Sequence, residues 1–316
     1  MMPKAIRDVY GDYLAEIGAV NKDIVVLDSD LSSSTKSAIF GKAFPDRFYN
    51  VGIAEAQMAG MAAGFASCGK IPFINTFTSF MMLRAGDPIR SLIAYDKLNV
   101  KVAGAYAGMS DAYDGASHHA LIDIGFFRSL PNFIVFVPSD AEETKKIVEA
   151  SVTIKGPVYI RLSRAATPEI FGADYDFKPG KGVLHRDGKD VTLIGTGKMF
   201  SECVTAAQML ENSRISAAVI NIHTIKPIDK EIIENAAKET GAIVTAEEHS
   251  IFCGLGSAVS EVLTETTPVP LERVGTMDTF AESGDYNALL EKYGLTAKHI
   301  ANAAIEVLKR KTTGRI

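Results

Sequence analysis

Residues 133–162 read FIVFVPSDAEETKKIVEASVTIKGPVYIRL. The apolar run Phe133–Val137 has strand character, and Val158–Leu162 repeats it. Between them Ser139 and Glu142 stand three apart, the spacing of a capping box, which predicts a helix over about 140–153 that stops before Gly156-Pro157. Strand, helix, strand is a βαβ unit and predicts a mostly parallel sheet. Upstream, Ile24–Leu27 ending at Asp28-Ser29-Asp30 and Val100–Gly104 are further strands with loops at their C-terminal ends. Toward the C-terminus the character changes. Residues 165–189, AATPEIFGADYDFKPGKGVLHRDGK, hold two prolines, four glycines and many charges, as a linker would. Alternation then resumes: Val191–Ile194 with a helix near 200–212, Ser216–Ile222 with one near 229–239, and Ala242–Ala246 with one near 257–265. The expected fold class is α/β, two consecutive domains with mostly parallel sheets flanked by helices. The first domain spans 1–168, a linker 169–185, and the second domain 186–316.

Composition agrees. At about 100–200 residues per domain, 316 residues suit two domains. The chain is 47% apolar and 22% charged, enough for sizeable cores. Its formal net charge of −5 offers no basic excess for nucleic acid. Three cysteines, Cys68, Cys203 and Cys253, form no CxxC pair, which speaks against a zinc site or disulfide framework and for a reducing, cytoplasmic setting. No apolar run reaches the roughly 18–20 residues of a membrane span, and the N-terminal stretch MMPKAIRDVYGDYLAEIG lacks a secretory apolar core.

Three segments carry chemistry. Residues 48–69, FYNVGIAEAQMAGMAAGFASCG, hold one formal charge, Glu55, at the head of an Ala/Gly-rich helix. A carboxylate in such surroundings costs several kcal/mol to bury unless it is paired or protonated; a solvated acid in a helix's first turn is the plainer reading. Residues 71–83, IPFINTFTSFMML, carry no charge, and Phe77 and Phe80, three apart, share a face if helical. A core pair is the ordinary explanation; beside one odd glutamate, they form a wall for a flat heterocycle. The third segment, GMSDAYDGASHHALID, brings Asp111, Asp114, His118 and His119 into a loop after a strand, where open parallel sheets place their sites. Adjacent histidines do not easily face one ion, so polar substrate recognition or proton transfer fits better than a metal. Elsewhere, Gly195-Thr196-Gly197 lacks the third glycine of a dinucleotide fingerprint, because position 200 is Phe. It reads as a structural turn, as do Gly254 and Gly256. His223 and His249 are isolated.

GIAEAQ (52–57), INTFTSF (74–80), DGASHH (114–119) and RLSR (161–164), in this order, resemble the C-terminal half of transketolase, its pyrimidine-binding domain plus its C-terminal domain. TGKMFSECVTAAQML and MDTFAESGDYNALLEKYGL extend the likeness. The resemblance implies thiamine diphosphate and transfer of a two-carbon ketol unit between ketose and aldose phosphates, as in the pentose phosphate pathway. It implies that Glu55 hydrogen-bonds the aminopyrimidine N1′, that Phe77 and Phe80 flank the ring, and that Asp30 lies near the cofactor. Asp114 and His118 would contact the ketose hydroxyls, with His118 near the developing oxyanion. Arg7, Ser34 and Arg164 would bind the sugar phosphate. Two positions depart from the family pattern: Leu83 stands where an aromatic is usual, and Tyr106 where a histidine often lines the acceptor channel. The superfamily's GDG…N motif for diphosphate and Mg²⁺ does not occur in this sequence. A separate N-terminal subunit is therefore expected to supply that site, in an α₂β₂ assembly active only when both chains are present. Two other readings stay open: a related thiamine-dependent subunit (for an unusual sugar, or akin to deoxyxylulose-phosphate synthase or a 2-oxoacid dehydrogenase β subunit), and a non-catalytic assembly subunit.

Overall fold

Runs that are apolar at every position become strands covered on both faces. In the computed structural model, which describes residues 4–313, the first half contributes six mainly apolar strands to the larger sheet: β1 (Ile24–Asp28), β2 (Phe48–Asn50), β3 (Ile71–Phe77), β4 (Lys101–Ala105), β5 (Ile134–Phe136) and β6 (Val158–Leu162). The predicted domains begin and end with residues 1–3 and 314–316, which lie outside the described residues. β7 (Val183–Arg186), β8 (Val191–Gly195), β9 (Ala217–Asn221), β10 (Thr224–Lys226), β11 (Ile243–Ser250) and β12 (Leu271–Thr276) follow. They make a seven-stranded sheet of order β10-β5-β6-β4-β3-β1-β2 and a five-stranded sheet of order β12-β11-β8-β9-β7. All pairings in these two sheets are parallel except β10 with β5 and β7 with β9. The fold is therefore α/β with two mostly parallel sheets, as expected. One element crosses between the halves: β10 leaves the second half of the chain and completes the edge of the first sheet.

Helices cover both sheets. α1 (Ile6–Val20), α2 (Glu55–Ser67), α3 (Thr78–Arg84) and α4 (Ala141–Thr153) belong to the first. α2 packs closely because its inward residues are small. Ala59, Ala62 and Ala63, with Met58, share one core with Val25, Leu27 and Ile74. In the second half, Lys198–Glu211, Lys230–Thr240 and Leu255–Glu265 begin and end within two residues of the predicted helices. Among the described residues no helix is long and apolar enough to cross a membrane.

Two expectations need correction. The capping box of α4 lies one residue later than Ser139–Glu142. Asp140 is the N-cap and accepts from the Glu143 amide at 2.9 Å, while Glu143 Oε2 accepts from the Ser139 amide at 2.8 Å. The Ser139 hydroxyl instead donates to Asn221 Oδ1 in the other half, at 2.9 Å. Phe77 and Phe80 do not share a helix: Phe77 ends β3 and Phe80 lies in α3. The stretch read as a linker is held to the first half. Asp140 Oδ2 accepts from the amides of Ile170 and Phe171 at 2.8 and 2.7 Å, and β7 starts at Val183. The turn before Leu255–Glu265 is structural as read, since the protein's own Glu247 accepts from the Leu255 and Gly256 amides at that helix start.

Candidate functional site

The predicted site residues gather where the strands of the first sheet end. Asp30 and Ser34 follow β1, Phe77 closes β3, Tyr106 follows β4, and Arg164 lies two residues beyond β6. This is the edge at which open parallel sheets bind ligands. Buried Asp28 shapes the first loop: it accepts from the Leu31 amide and from the hydroxyls of Thr35 and Ser37, at 2.6, 2.7 and 2.8 Å. Asp30 and Tyr106 both adopt left-handed backbone, with φ of 63° and 59°. Such non-glycine conformations are costly and concentrate at functional sites.

Glu55 is the first residue of α2, and it is buried, 4% exposed. The plain alternative, an acid in the first turn facing water, is thus half right: the place is correct and the solvent is absent. Its carboxylate Oε1 accepts from Arg84 Nη1 at 2.7 Å. The Arg84 guanidinium also lies over the Phe80 ring, 3.7 Å from its centroid. Arg84 was not anticipated, because the uncharged stretch ends at Leu83. Its signal was the four-residue spacing from Phe80, which puts the two on one helix face.

The aromatic wall continues from Phe80. Phe77 lies 5.6 Å from Phe80 and 4.3 Å from Tyr106, centroid to centroid. The His118 ring meets Phe80 edge-on at 5.2 Å and Phe77 at 6.0 Å. Leu83, at the position lacking an aromatic, is 71% exposed. It borders a cleft of about 500 Å³ between the two halves, with Met82, His119 and Phe280 among its other walls.

Arg7 and Arg164 converge on Tyr106, and Arg7 also reaches Ser34. Arg7 donates to the Ser34 carbonyl at 2.9 Å and to the Tyr106 hydroxyl. Its guanidinium stands 4.7 Å from the Tyr106 ring and that of Arg164 5.3 Å. Arg164 pairs with Asp111 at 3.2 Å. Of the two arginines in RLSR, Arg161 does different work: buried, it pairs with Asp123 at 2.7 Å and donates to the carbonyls of Ala120 and Glu248.

Asp111, Asp114 and His118 place ligand atoms within 4.8 Å of one another. Burial of Asp111, followed by the negative charge of Asp114, pushes its carboxyl up to about 6. His118 Nδ1 lies 2.9 Å from the Ser117 hydroxyl, while the neighbouring His119 is buried, which lowers its pKa against the opposing pull of the Asp111 and Ala112 backbone. Asp30, in the loop after β1, accepts from Asn50 Nδ2 at 3.0 Å.

Residues 2–169 match the family described as "Transketolase, pyrimidine binding domain", and residues 180–300 match "Transketolase, C-terminal domain". The chain is 42% identical to a 6-deoxy-6-sulfo-D-fructose transketolase subunit of a Clostridium species, over 97% of this chain and 95% of that protein. It is 37% identical to one of the subunits of an apulose-4-phosphate transketolase of Phocaeicola vulgatus, over 97% of this chain and 98% of that one. A solved structure described as "Split gene transketolase, inactive beta4 tetramer" superposes with a TM-score of 0.90 at 50% identity, covering 97% of this chain and 99% of that chain.

Proposed function

Because the chain belongs to the transketolase family, as the C-terminal section of a split transketolase, we propose that it is the component that binds the coenzyme's pyrimidine and the sugar in a two-component ketol transferase. The observation that carries this reading is the convergence, on one sheet edge, of buried Glu55, the Phe77–Phe80 wall with His118, and the Arg7–Tyr106–Arg164 stack. On this reading residues 1–168 and 186–316, joined by 169–185, are the two functional domains.

A pyrimidine-binding domain implies thiamine diphosphate. The residues present suit its ring: a buried carboxylate for a ring nitrogen and an uncharged aromatic wall for a flat face. When bound, the coenzyme supplies the carbon nucleophile that carries the two-carbon unit. Glu55 shares a proton with N1′, and a carboxyl withdrawn from water is suited to that task. Phe77 and Phe80 pack on the ring and exclude water. Asp114 and His118 hydrogen-bond the ketose hydroxyls, with His118 donating where negative charge develops. Arg7 and Arg164 hold the terminal oxyanion, since planar guanidinium forks pair bidentately with such groups; Ser34 completes that end. Asp30 borders the coenzyme from the β1 loop. Mg²⁺ and the diphosphate fall to an N-terminal partner subunit in an α₂β₂ assembly. Three free cysteines suit a reducing, cytoplasmic setting.

Tyr106 favours a second reading of the substrate. It lies between the two arginines, and the two relatives described above are named for a sulfosugar and for apulose 4-phosphate. An unusual sugar ending in phosphate or sulfonate therefore stands beside the ordinary pentose and hexose phosphates.

The test is reconstitution. This chain, mixed with its N-terminal partner and thiamine diphosphate, is assayed with ketose phosphates, 6-deoxy-6-sulfofructose and apulose 4-phosphate as donors. Glu55→Gln is expected to lower turnover by at least about a hundredfold, the scale of losing a positioned proton-transfer group. Wild-type rates in that variant remove Glu55 from the mechanism. Turnover by this chain alone overturns the split assignment, and failure of the wild-type pair to bind coenzyme favours a non-catalytic assembly role.

A further inference from the structure

Arg84 engages both groups that the proposed coenzyme ring needs. Its Nη1 donates to Glu55 Oε1 at 2.7 Å, and its guanidinium stacks on Phe80 at 3.7 Å. Among the described residues its side chain makes no other hydrogen bond. A guanidinium is planar, cationic and an N–H donor, and it stacks on aromatic faces. A protonated aminopyrimidine has the same four properties. A ring that lies on Phe80 and donates to Glu55 makes the contacts the guanidinium already makes.

We propose that Arg84 is a positioning residue that holds the pyrimidine's seat in the unloaded chain, keeping the Glu55 carboxylate paired and aimed, and that it gives up both contacts when the ring enters. The inference rests on the reading of Glu55 and Phe80 given under Proposed function. The geometry provides the means of exchange. The Glu55 side chain is 5% exposed and has nowhere to turn, whereas that of Arg84 is 47% exposed, so the arginine can swing into solvent at little cost. The pairing also answers a physical need. An unpaired buried carboxylate is expensive, and Arg84 removes that expense until the ring arrives.

The pair stabilises the unloaded state and must be broken on loading, so removing it strengthens coenzyme binding. The experiment titrates thiamine diphosphate into the complete complex of this chain with its partner, at fixed Mg²⁺, by isothermal calorimetry. Arg84→Met keeps the aliphatic stem and is expected to bind coenzyme about two- to fivefold more tightly than wild type, the span of a half-exposed ion pair. Arg84→Lys, which keeps the charge without the planar fork, is expected to fall between. Without coenzyme, Arg84→Met is expected to melt lower than wild type, and its coenzyme-induced rise in melting temperature to be larger. In Arg84→Ala, millimolar guanidinium ion should refill the seat and weaken coenzyme binding competitively, with no such effect on wild type. A purely structural salt bridge would also lower the melting temperature when removed, but it predicts equal or weaker coenzyme binding and no competition by guanidinium. Equal or weaker coenzyme binding in Arg84→Met and Arg84→Lys, or no guanidinium effect in Arg84→Ala, overturns the inference. If the wild-type complex binds no coenzyme, the underlying functional reading fails instead.

Discussion

Asp111 has its acidity changed by its neighbours in a way that can be read directly. Burial and the adjacent Asp114 charge raise it to about 6, against about 4 for an ordinary aspartate. A carboxyl whose folded value is raised holds its proton more tightly in the folded state. Its contribution is therefore fully present below about pH 4 and is lost as the pH climbs from about 4 to about 6. Asp114→Asn removes the neighbouring negative charge, so Asp111 should titrate at lower pH and that loss should shrink. Carboxyl carbon NMR, with melting temperatures across the same range, checks both signs. The sequence showed the acids and histidines of this loop and their sharing of one turn. It did not show that Asp111 lies inside and Asp114 outside, because that depends on what packs against the loop. Arg84 was illegible for a related reason: its tie to Glu55 joins residues 29 apart, and spacing arguments reach only across one or two helical turns.

Among the elements, the loop following β4 is held by the second half of the chain. Glu248 of β11 accepts from the Met109 amide at 2.7 Å and from the Tyr286 hydroxyl at 3.0 Å. The Ser250 amide donates to the Leu121 carbonyl at 2.8 Å, and the Gly284 amide to that of Ala112 at 3.1 Å. The C-terminal domain thus fixes the segment bearing Asp114 and His118. Gly108 allows the approach. Its φ is 67°, and a Cβ there would stand 2.4 Å from the Glu248 carboxyl carbon. Gly108→Ala is expected to cost about 1–3 kcal/mol from the strained backbone alone, to lower the melting temperature, and to quicken hydrogen exchange across 108–120. Unchanged exchange there would mean that Glu248 does not control the loop. Helix and strand positions were legible from apolar periodicity and turn residues. The shifted cap of α4 was not, because Ser139-x-x-Glu142 and Asp140-x-x-Glu143 overlap and both have cap-type spacing.

Across the whole molecule, two observations bind the halves. β10 pairs with β5, and the buried carboxyl of Glu143, pushed up to about 8 by burial, accepts from Asn221 Nδ2 at 2.8 Å and from the Tyr175 hydroxyl at 2.9 Å. Scanning calorimetry of this chain is therefore expected to show one transition, not two. A fragment ending at residue 182 is expected to melt well below the full chain or fail to fold, because β5 loses its neighbour and Glu143 loses Asn221. A fragment as stable as the whole would refute the coupling. The two-sheet architecture was legible in the alternation of apolar runs and helices; the exchange of an edge strand was not, since three residues of ordinary composition (Thr224–Lys226) carry it.

That small stitch bears on how such an enzyme can be divided among genes. A break within 169–182 would strip the larger sheet of its border and leave each product searching for its other half during synthesis. Evolution, and anyone engineering a two-plasmid version, would do better to leave these two domains on one message.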